Sequence, residues 1–490
     1  MKKGLLVSLV LSGILSGAVA DDKDFNKRLK ALESAMFNLK KENDTLKAML
    51  KDKKTDEMID EIGEVLDEVE DRLDGVETMA LVDRVSFGLG VDTGVNVIDG
   101  ESPNGTEFES GDVWTTKVML NMNSQIADNL KFNGRLSMYR LWGDGGANVV
   151  NAMPGIQGRK PDDSKVYIER AYVDWRAIDG VVPVTLTLGR QPAGEGPSAH
   201  FKNNTVRKGT FSALVFDAAG DAIATTFNLE NLTGVKKTAF RAIYAKMFQD
   251  INPSTFVKAT DNKIDDANFY GLFLDSSIPA LGDNFLQLYG FTLTDLTANK
   301  ALDKNGVDKN LGDINMVGAL AEFRNIADSG LDFFIQGAIS NTKPNGVVYK
   351  NDLNGDGVDE HYGLMSSQEG DKGSKTGHSI WGGVRYTIPA WVKPKIGFEY
   401  NYGSKNWVSL SQGSNDLTGK LLTRGSAYDL YYIQPINKFA YLRAGATYID
   451  YEYSGSGSYI GGPLKLENNQ MTGGMMSELT HYYLNFNLLY

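Results

Sequence analysis

The chain has 490 residues, with 62 acidic against 50 basic side chains, a formal net charge of −12 and no cysteine. Such an acidic chain repels phosphate, which excludes nucleic acid as the expected partner, and the missing thiols exclude disulfides, thiolate metal sites and cysteine nucleophiles. Only the N-terminus carries an apolar run approaching the about 20 residues of a membrane helix, so a helical transporter is excluded, while 53 glycines and a 10% aromatic content point to β-structure.

The first predicted element is a leader. Lys2 and Lys3 precede an apolar stretch from Gly4 to Gly17, and Ala18-Val19-Ala20 supplies a small-x-small cleavage site before Asp21. This pattern predicts a secretory signal peptide over residues 1–20. No cysteine follows the site, so no lipid anchor is expected.

Residues 21–80 lack proline, tyrosine and tryptophan, and their apolar residues follow a helical period. Phe25, Leu29, Leu32, Met36, Leu39, Asn43, Leu46 and Leu50 alternate at intervals of four and three, the a/d seam of a coiled coil with a polar a-position at Asn43. A second seam runs through Ile59, Ile62, Leu66, Val69, Leu73, Val76 and Ala80 in a shifted phase, so the polar stretch 51–56 breaks or bends the helix. Basic residues concentrate before this break and acidic ones after it. Continuous helix from Phe25 to Ala80 would span roughly 84 Å at 1.5 Å per residue. A helix cannot bury such a seam alone. The expected partner is a second copy of the chain, giving a homo-oligomer; the alternatives are the neighbouring domain, another periplasmic protein or the cell wall.

From residue 81 to 490 the period becomes two. Lys395, Gly397, Glu399 and Asn401 alternate with Ile396, Phe398, Tyr400 and Tyr402, and the final segment sets Tyr482, Leu484, Phe486, Leu488 and Tyr490 on one face. Strands are predicted near 83–98, 113–127, 129–142, 164–176, 182–190, 222–230, 238–248, 267–276, 285–294, 312–324, 331–340, 378–388, 394–402, 426–434, 438–453 and 481–490. Short turns alternate with eight long polar connections, at 99–112, 143–163, 191–221, 249–266, 295–311, 341–377, 403–425 and 454–480. This rhythm predicts an all-β transmembrane barrel of about 16 antiparallel strands, preceded by the α-helical coiled coil. Thr210–Asp217 (TFSALVFD) reads as a further strand, which with an undetected partner gives the alternative of 18. Backbone groups in lipid must pair within the protein, so the sheet must close, and 16–18 strands enclose an aqueous channel unless it is plugged.

The third long connection starts Gln191-Pro192-Ala193-Gly194-Glu195-Gly196-Pro197 and follows Tyr167–Arg176 (YIERAYVDWR) and Leu186–Gln191 (LTLGRQ). Here the chain resembles Gram-negative porins. With its coil and its ending YYLNFNLLY it is similar to a porin-like outer-membrane family of unknown function from epsilon-class proteobacteria. The resemblance covers nearly the whole mature chain. It implies a barrel in the bacterial outer membrane, in contact with its lipid, and an inward-folded constriction loop; it implies no substrate.

Facing nominates pore-lining residues. Polar side chains opposite an apolar face are Arg135, Arg170, Arg385, Lys395, Glu399, Asp429 and Arg443, and the constriction loop adds Glu195, His200, Lys202, Arg207 and Lys208. Rings of charge set ionic preference in pores, and Lys202, Arg207 and Lys208 outnumber Glu195, which predicts weak anion preference. The competing expectation is that inward charges of opposite sign satisfy one another. Asp352, Asn354, Asp356 and Glu360 stand in a D-x-N-x-D-G-x-x-E loop whose alternate oxygens suit Ca²⁺; Gly363 occupies the place of an EF-hand's bidentate Glu. The alternative is a solvated acidic loop, and no cofactor is otherwise required. Histidine occurs only at 200, 361, 378 and 481, outside any HExxH, and GxSxG and Walker patterns are missing, so no enzyme is expected. The expected function is an outer-membrane porin for small hydrophilic solutes or ions, with the coil in the periplasm. The alternative is a structural or adhesive envelope protein that uses the coil as a tether.

Overall fold

A computed structural model describes residues 85–144, 157–162, 164–192, 194–250, 254–255, 264–352, 357–466 and 475–490, and eight positions between 34 and 45. Those eight positions are helical. The predicted leader and every a/d residue of both seams lie outside the described residues. The chain divides between Val85 and Ser86.

Two-residue alternation carries the described residues from Val85 onward into eighteen strands: β1 (Val85–Glu101), β2 (Glu107–Ala127), β3 (Leu130–Leu141), β4 (Tyr167–Ile178), β5 (Val184–Pro192), β6 (Ala219–Asn228), β7 (Ala239–Lys246), β8 (Asn268–Ser276), β9 (Asn284–Thr294), β10 (Gly312–Phe323), β11 (Leu331–Pro344), β12 (Val348–Asn351), β13 (Glu360–Gly363), β14 (Lys375–Thr387), β15 (Lys395–Gly403), β16 (Gly425–Pro435), β17 (Ala440–Tyr451) and β18 (Glu478–Leu489). Sixteen of them close into a barrel, each next to its sequence neighbours, and β12 and β13 form a separate hairpin within the connection from β11 to β14. Closure joins the last strand to the first, antiparallel, with Gly90 opposite Leu489 and Val97 opposite Tyr482.

The sixteen-strand expectation stands, and three details are corrected. First, Thr210–Asp217 is not a strand of the wall, so the count of 18 fails. Ala213, Leu214, Val215 and Phe216 are all buried in succession, whereas a wall strand must send alternate side chains outward. Second, the connection expected at 99–112 shrinks to residues 102–106, because β1 and β2 extend to 17 and 21 residues. Third, the loop expected at 341–377 contains the β12–β13 hairpin.

The outer face is apolar in the manner a bilayer requires. Leu272, Leu288, Val317, Ile339, Phe398, Leu430 and Leu484 are exposed there. Tyr400, Tyr428 and Tyr448 form an aromatic row with ring centroids 5.1 and 6.3 Å apart.

The inner face is divided. Strands β8 to β11 and β14 carry apolar residues inward as well, including Phe269, Phe273, Phe291, Ile314, Met316, Phe334 and Trp381. Against them pack Phe201, Phe211, Leu214, Val215 and Phe216 from the connection after β5, and Trp407, Val408 and Leu410 from the connection after β15. Phe211 meets Phe273 and Phe269 edge-on at 5.0 and 5.4 Å. Each aromatic buried in this way contributes about 1.5–3 kcal/mol. One side of the barrel is therefore filled by its own loops. The opposite side, from β15 through β18 and on to β4, keeps a polar interior.

Candidate functional site: a charge-lined cavity beside two infolded loops

The loop after β5 crosses the interior, and glycine lets it leave the wall. A Cβ on Gly196 would lie 1.8 Å from the Phe211 carbonyl oxygen, and one on Gly194 would lie 2.1 Å from an Arg159 nitrogen. Between them Glu195 adopts φ 57°, and Ser198 follows with φ 67°. Left-handed backbone at such residues costs about 1–3 kcal/mol and persists only where the surroundings hold it. Here they do. The Ser198 amide and hydroxyl donate to Glu322 Oε1 at 2.7 and 2.9 Å, and Gln336 Nε2 donates to Pro197 O at 3.1 Å and to Ser198 Oγ at 2.6 Å. Further along, Arg385 donates to Phe201 O at 2.7 Å, Lys395 to Asn204 Oδ1 at 2.5 Å and Tyr441 to Asn203 O at 2.6 Å.

A second loop, residues 404–424, enters from the other side and locks onto the first. Leu410 N donates to Val215 O at 2.9 Å, and the Ser409 and Ser411 hydroxyls donate to Leu214 O and Ala213 O at 2.6 Å. Arg159, from the connection after β3, reaches Gly413 O at 2.6 Å and pairs with Glu169 at 3.0 Å and with Asp217. Buried Arg424 caps this assembly with no carboxylate partner among the described residues, donating to Trp407 O, Ser454 O and Ser458 O at 3.0, 2.9 and 2.6 Å.

Where loops and wall meet, charges of both signs are buried together. Glu169 accepts ion pairs from Arg159, Arg135 and Lys117 at 3.0, 3.3 and 3.4 Å, with Arg170 at 3.8 Å. Glu195 is held by Arg170 at 2.9 Å, Arg135 at 3.0 Å and Lys208 at 3.6 Å. Burial alone would raise its carboxyl pKa, but Arg170 and Arg135 outweigh that and hold it well below the usual carboxylate range. Asp429 takes Lys202 at 2.5 Å, Lys420 and the Tyr483 hydroxyl at 2.9 Å. Lys420 also bridges to Glu399 at 2.6 Å. Arg443 faces Asp92 at 3.9 Å and donates to Asn203 Oδ1 at 2.9 Å.

These residues surround a cavity of about 150 Å³. Its lining follows β18 from His481 to Leu489, roughly 27 Å of strand at about 3.4 Å per residue. The cavity is thus elongated along the wall.

Of the predicted pore residues, Arg135, Glu195, Lys202, Lys208, Glu399 and Arg443 line this cavity. Arg170 and Asp429 stand behind it as ion-pair partners. The other predicted residues serve the loop elsewhere. Arg385 pairs with Asp332 at 2.6 Å, Lys395 holds Asn204, and the Arg207 guanidinium stacks 3.8 Å from the Phe285 ring. His200 meets Arg324 at 3.0 Å. Burial, with Arg324, Arg207 and Arg385 around it, pushes its pKa down to about 3, so the ring is neutral at pH 7.

Sequence reasoning missed Glu169, Lys117, Arg159, Asp217, Asp416 and Lys420. Lys117 was legible, since it shares one face of β2 with Thr115 and Met119 while Val118 and Leu120 fall on the other. Glu169 was not. Arg135 pairs with Arg170 and Leu136 with Ile168, a β-bulge that leaves Glu169 as the extra residue. Neighbours 169 and 170 are then both buried, against the two-residue period.

In the predicted calcium loop, Asn354 and Asp356 lie outside the described residues. Asp352 accepts the Gly357 amide at 2.8 Å, and Glu360 lies 3.5 Å from the Tyr362 hydroxyl.

A closed sixteen-strand barrel with infolded loops and a charged interior defines a porin-like architecture. The chain belongs to the family described as Protein of unknown function (DUF3373), whose model matches residues 108–490. No curated protein matches it. Among solved structures it is similar to OprB of Pseudomonas putida, at 12% identity and TM-score 0.47 over 85% of this chain and 97% of that one. It is also similar to an anion-selective porin from Comamonas acidovorans, at 13% identity and TM-score 0.46 over 83% and 99%. A third is OmpF of Salmonella typhi in complex with daunomycin, at 10% identity and TM-score 0.45 over 83% and 97%.

Proposed function

We propose that the barrel is an outer-membrane porin of a Gram-negative bacterium: an aqueous channel for small hydrophilic solutes or ions, narrowed by two loops, and not an enzyme. The observation that carries this reading is the contrast between the two faces of the closed ring. The outside is apolar, while the inside from β15 around to β4 holds buried ionic groups along an elongated cavity. Burying charges is costly, and apolar residues of similar volume would fill a merely structural barrel at least as stably. An interior that must wet a passing solute accounts for them.

In this reading Arg135, Glu195, Lys202, Lys208, Glu399 and Arg443 line the channel, Arg170 and Asp429 orient them, and Arg207, Arg385 and Lys395 fix the loop. The lining has six basic side chains (Lys117, Arg135, Lys202, Lys208, Lys420, Arg443) and five acidic ones (Asp92, Glu195, Asp217, Glu399, Asp416). That near balance supports only weak anion preference. The coil over 21–80 is assigned to the periplasm as an oligomerisation segment, and Asp352, Asn354, Asp356 and Glu360 to a structural Ca²⁺ loop.

Conductance of the purified full-length protein in a planar lipid bilayer tests the reading. Discrete steps with a reversal potential slightly on the anion side are expected under a KCl gradient. Clear cation selectivity would remove the anion assignment. An inability to conduct would favour the envelope protein with a plugged barrel, with the coil as a tether.

A further inference from the structure

We infer that the end of the cavity against β2, β3 and the loop after β5 binds a small divalent oxyanion, a deepening that rests on the channel reading above for the ion's access. Two observations carry it. The first is a local excess of positive charge, which appears once the ion-pair partners behind the lining are counted. Glu169 meets Lys117, Arg135, Arg159 and Arg170, Glu195 meets Arg135, Arg170 and Lys208, and Asp217 meets Arg159, all at 3.8 Å or less. Five cations in this one continuous network share three carboxylates, so it carries a net charge of +2. The other charges around the cavity balance among themselves. Lys420 and Lys202 pair with Glu399 and Asp429, Arg443 faces Asp92, and Asp416, whose own carbonyl accepts from Lys160, lies in the field of Lys160, Lys202 and Lys420. Uncompensated charge is costly in a buried network, and an anion from solution supplies what the carboxylates lack.

The second observation is that one cation of this network is both reachable and underused. Lys208 lines the cavity, and its side chain is 34% exposed. Its amide donates to Glu195 O at 3.1 Å, which starts the side chain beside that carboxylate. The carboxylate is already taken, however: Oε1 accepts from Arg135 at 3.0 Å and Oε2 from Arg170 at 2.9 Å. The Lys208 ammonium is left at 3.6 Å, beyond hydrogen-bond length, and its three donors remain for a ligand.

The same wall offers a neutral donor. Lys117 donates to Asn415 Oδ1 at 2.9 Å, which fixes the orientation of that carboxamide and leaves Nδ2 as its donor; both residues line the cavity. An ammonium and an amide N–H ask for several acceptor oxygens on one ion, and charge-assisted bonds of this kind are the stronger ones. Two negative charges match the excess of the network. The volume sets the size, since a cavity of about 150 Å³ accommodates a molecule no larger than benzene. Sulfate and a short dicarboxylate such as succinate share this chemistry.

The test applies sulfate, succinate and acetate to the full-length protein at neutral pH, reading KCl conductance in a planar bilayer and, at matched ionic strength, thermal melting in detergent. Sulfate or succinate is expected to reduce the conductance saturably at a concentration about tenfold below that of acetate, and to raise the melting temperature where acetate does not. The stronger of the two identifies an inorganic ion or a dicarboxylate as the ligand. Lys208→Gln is expected to raise the half-blocking concentration about tenfold, the effect of about 1.4 kcal/mol of lost attraction. Lys372→Gln, which removes an exposed lysine of the connection from β11 to β14, should leave it unchanged. Block that is absent or equal for all three salts in a conducting protein, or an equal shift in both variants, overturns the anion site and leaves the channel reading standing. Failure to conduct KCl overturns the channel reading, and the melting shift then decides the site: its presence keeps the site and its absence removes it. If Lys208→Gln does not fold, the contrast between divalent anions and acetate on the wild type decides.

Discussion

Glu169 is the residue on which the charged wall turns, and Glu169→Gln is the substitution that reports on it. Its carboxylate lies within 4 Å of four cations, Arg159, Arg135, Lys117 and Arg170, and its side chain is fully buried. Glutamine keeps the shape and one carbonyl acceptor, so hydrogen bonds from Arg135 and Arg159 survive in weakened form, but the negative charge is gone. Breaking a buried ion pair from one side costs about 3–5 kcal/mol, because the partner charge stays buried and uncompensated. The retained acceptor and the remaining pairs to Glu195 and Asp217 place the expected loss near the lower end, about 3 kcal/mol. Urea unfolding followed by tryptophan fluorescence measures this. The same change leaves Lys117 without its ion-pair partner on the lining, so reversal potentials should move clearly toward anions. Unchanged stability together with unchanged selectivity would refute the argument, because it would mean that the four cations do not depend on this carboxylate.

Gly196→Ala forces a methyl group against the Phe211 carbonyl, and the loop must leave its seat. Larger single-channel conductance and faster proteolysis within 194–218 are expected. Arg424→Met removes the donor that ties Trp407, Ser454 and Ser458 carbonyls together; at about 1–3 kcal/mol for each buried acceptor left unpaired, the loops 404–424 and 454–466 should become cleavable while the strands stay protected. Glu195 has a depressed native pKa, so its stabilising contribution is complete above the unfolded glutamate value of about 4.3 and is lost as pH falls below it toward the native value. Thermal melting of the wild type should thus decline below about pH 4 more steeply than that of Glu195→Gln, and parallel curves would dismiss the effect. Deleting residues 21–80 behind the leader should reduce the oligomeric state seen by light scattering and preserve conductance, while an unchanged oligomer would assign the coil to tethering.

How much of this the sequence carried depends on whether a feature is periodic. Lys395, Glu399, Phe398 and Tyr482 obey the two-residue alternation, and the structure places them on the expected faces. The wall could therefore be counted. Where β1 runs on through Asp99, Gly100 and Glu101 no apolar side chain marks either face, and across Glu107–Asp112 of β2 Phe108 stands alone among polar and glycine residues, which weakens the alternation and makes strand look like loop. At Glu169 one inserted residue broke the period and hid the most heavily paired carboxylate. Residues 213–216 presented the opposite difficulty: their apolar run resembles a strand, yet it is core, because the surface it covers is the inner side of β8 to β11 rather than lipid. Arg159 and Gly413 are separated by 254 positions and meet only because two loops turn inward together. No local pattern encodes such a contact. A barrel wall repeats, and so can be read from one chain; its lumen is built by loops that do not repeat, and the chemistry of this interior lies in the pairings between them.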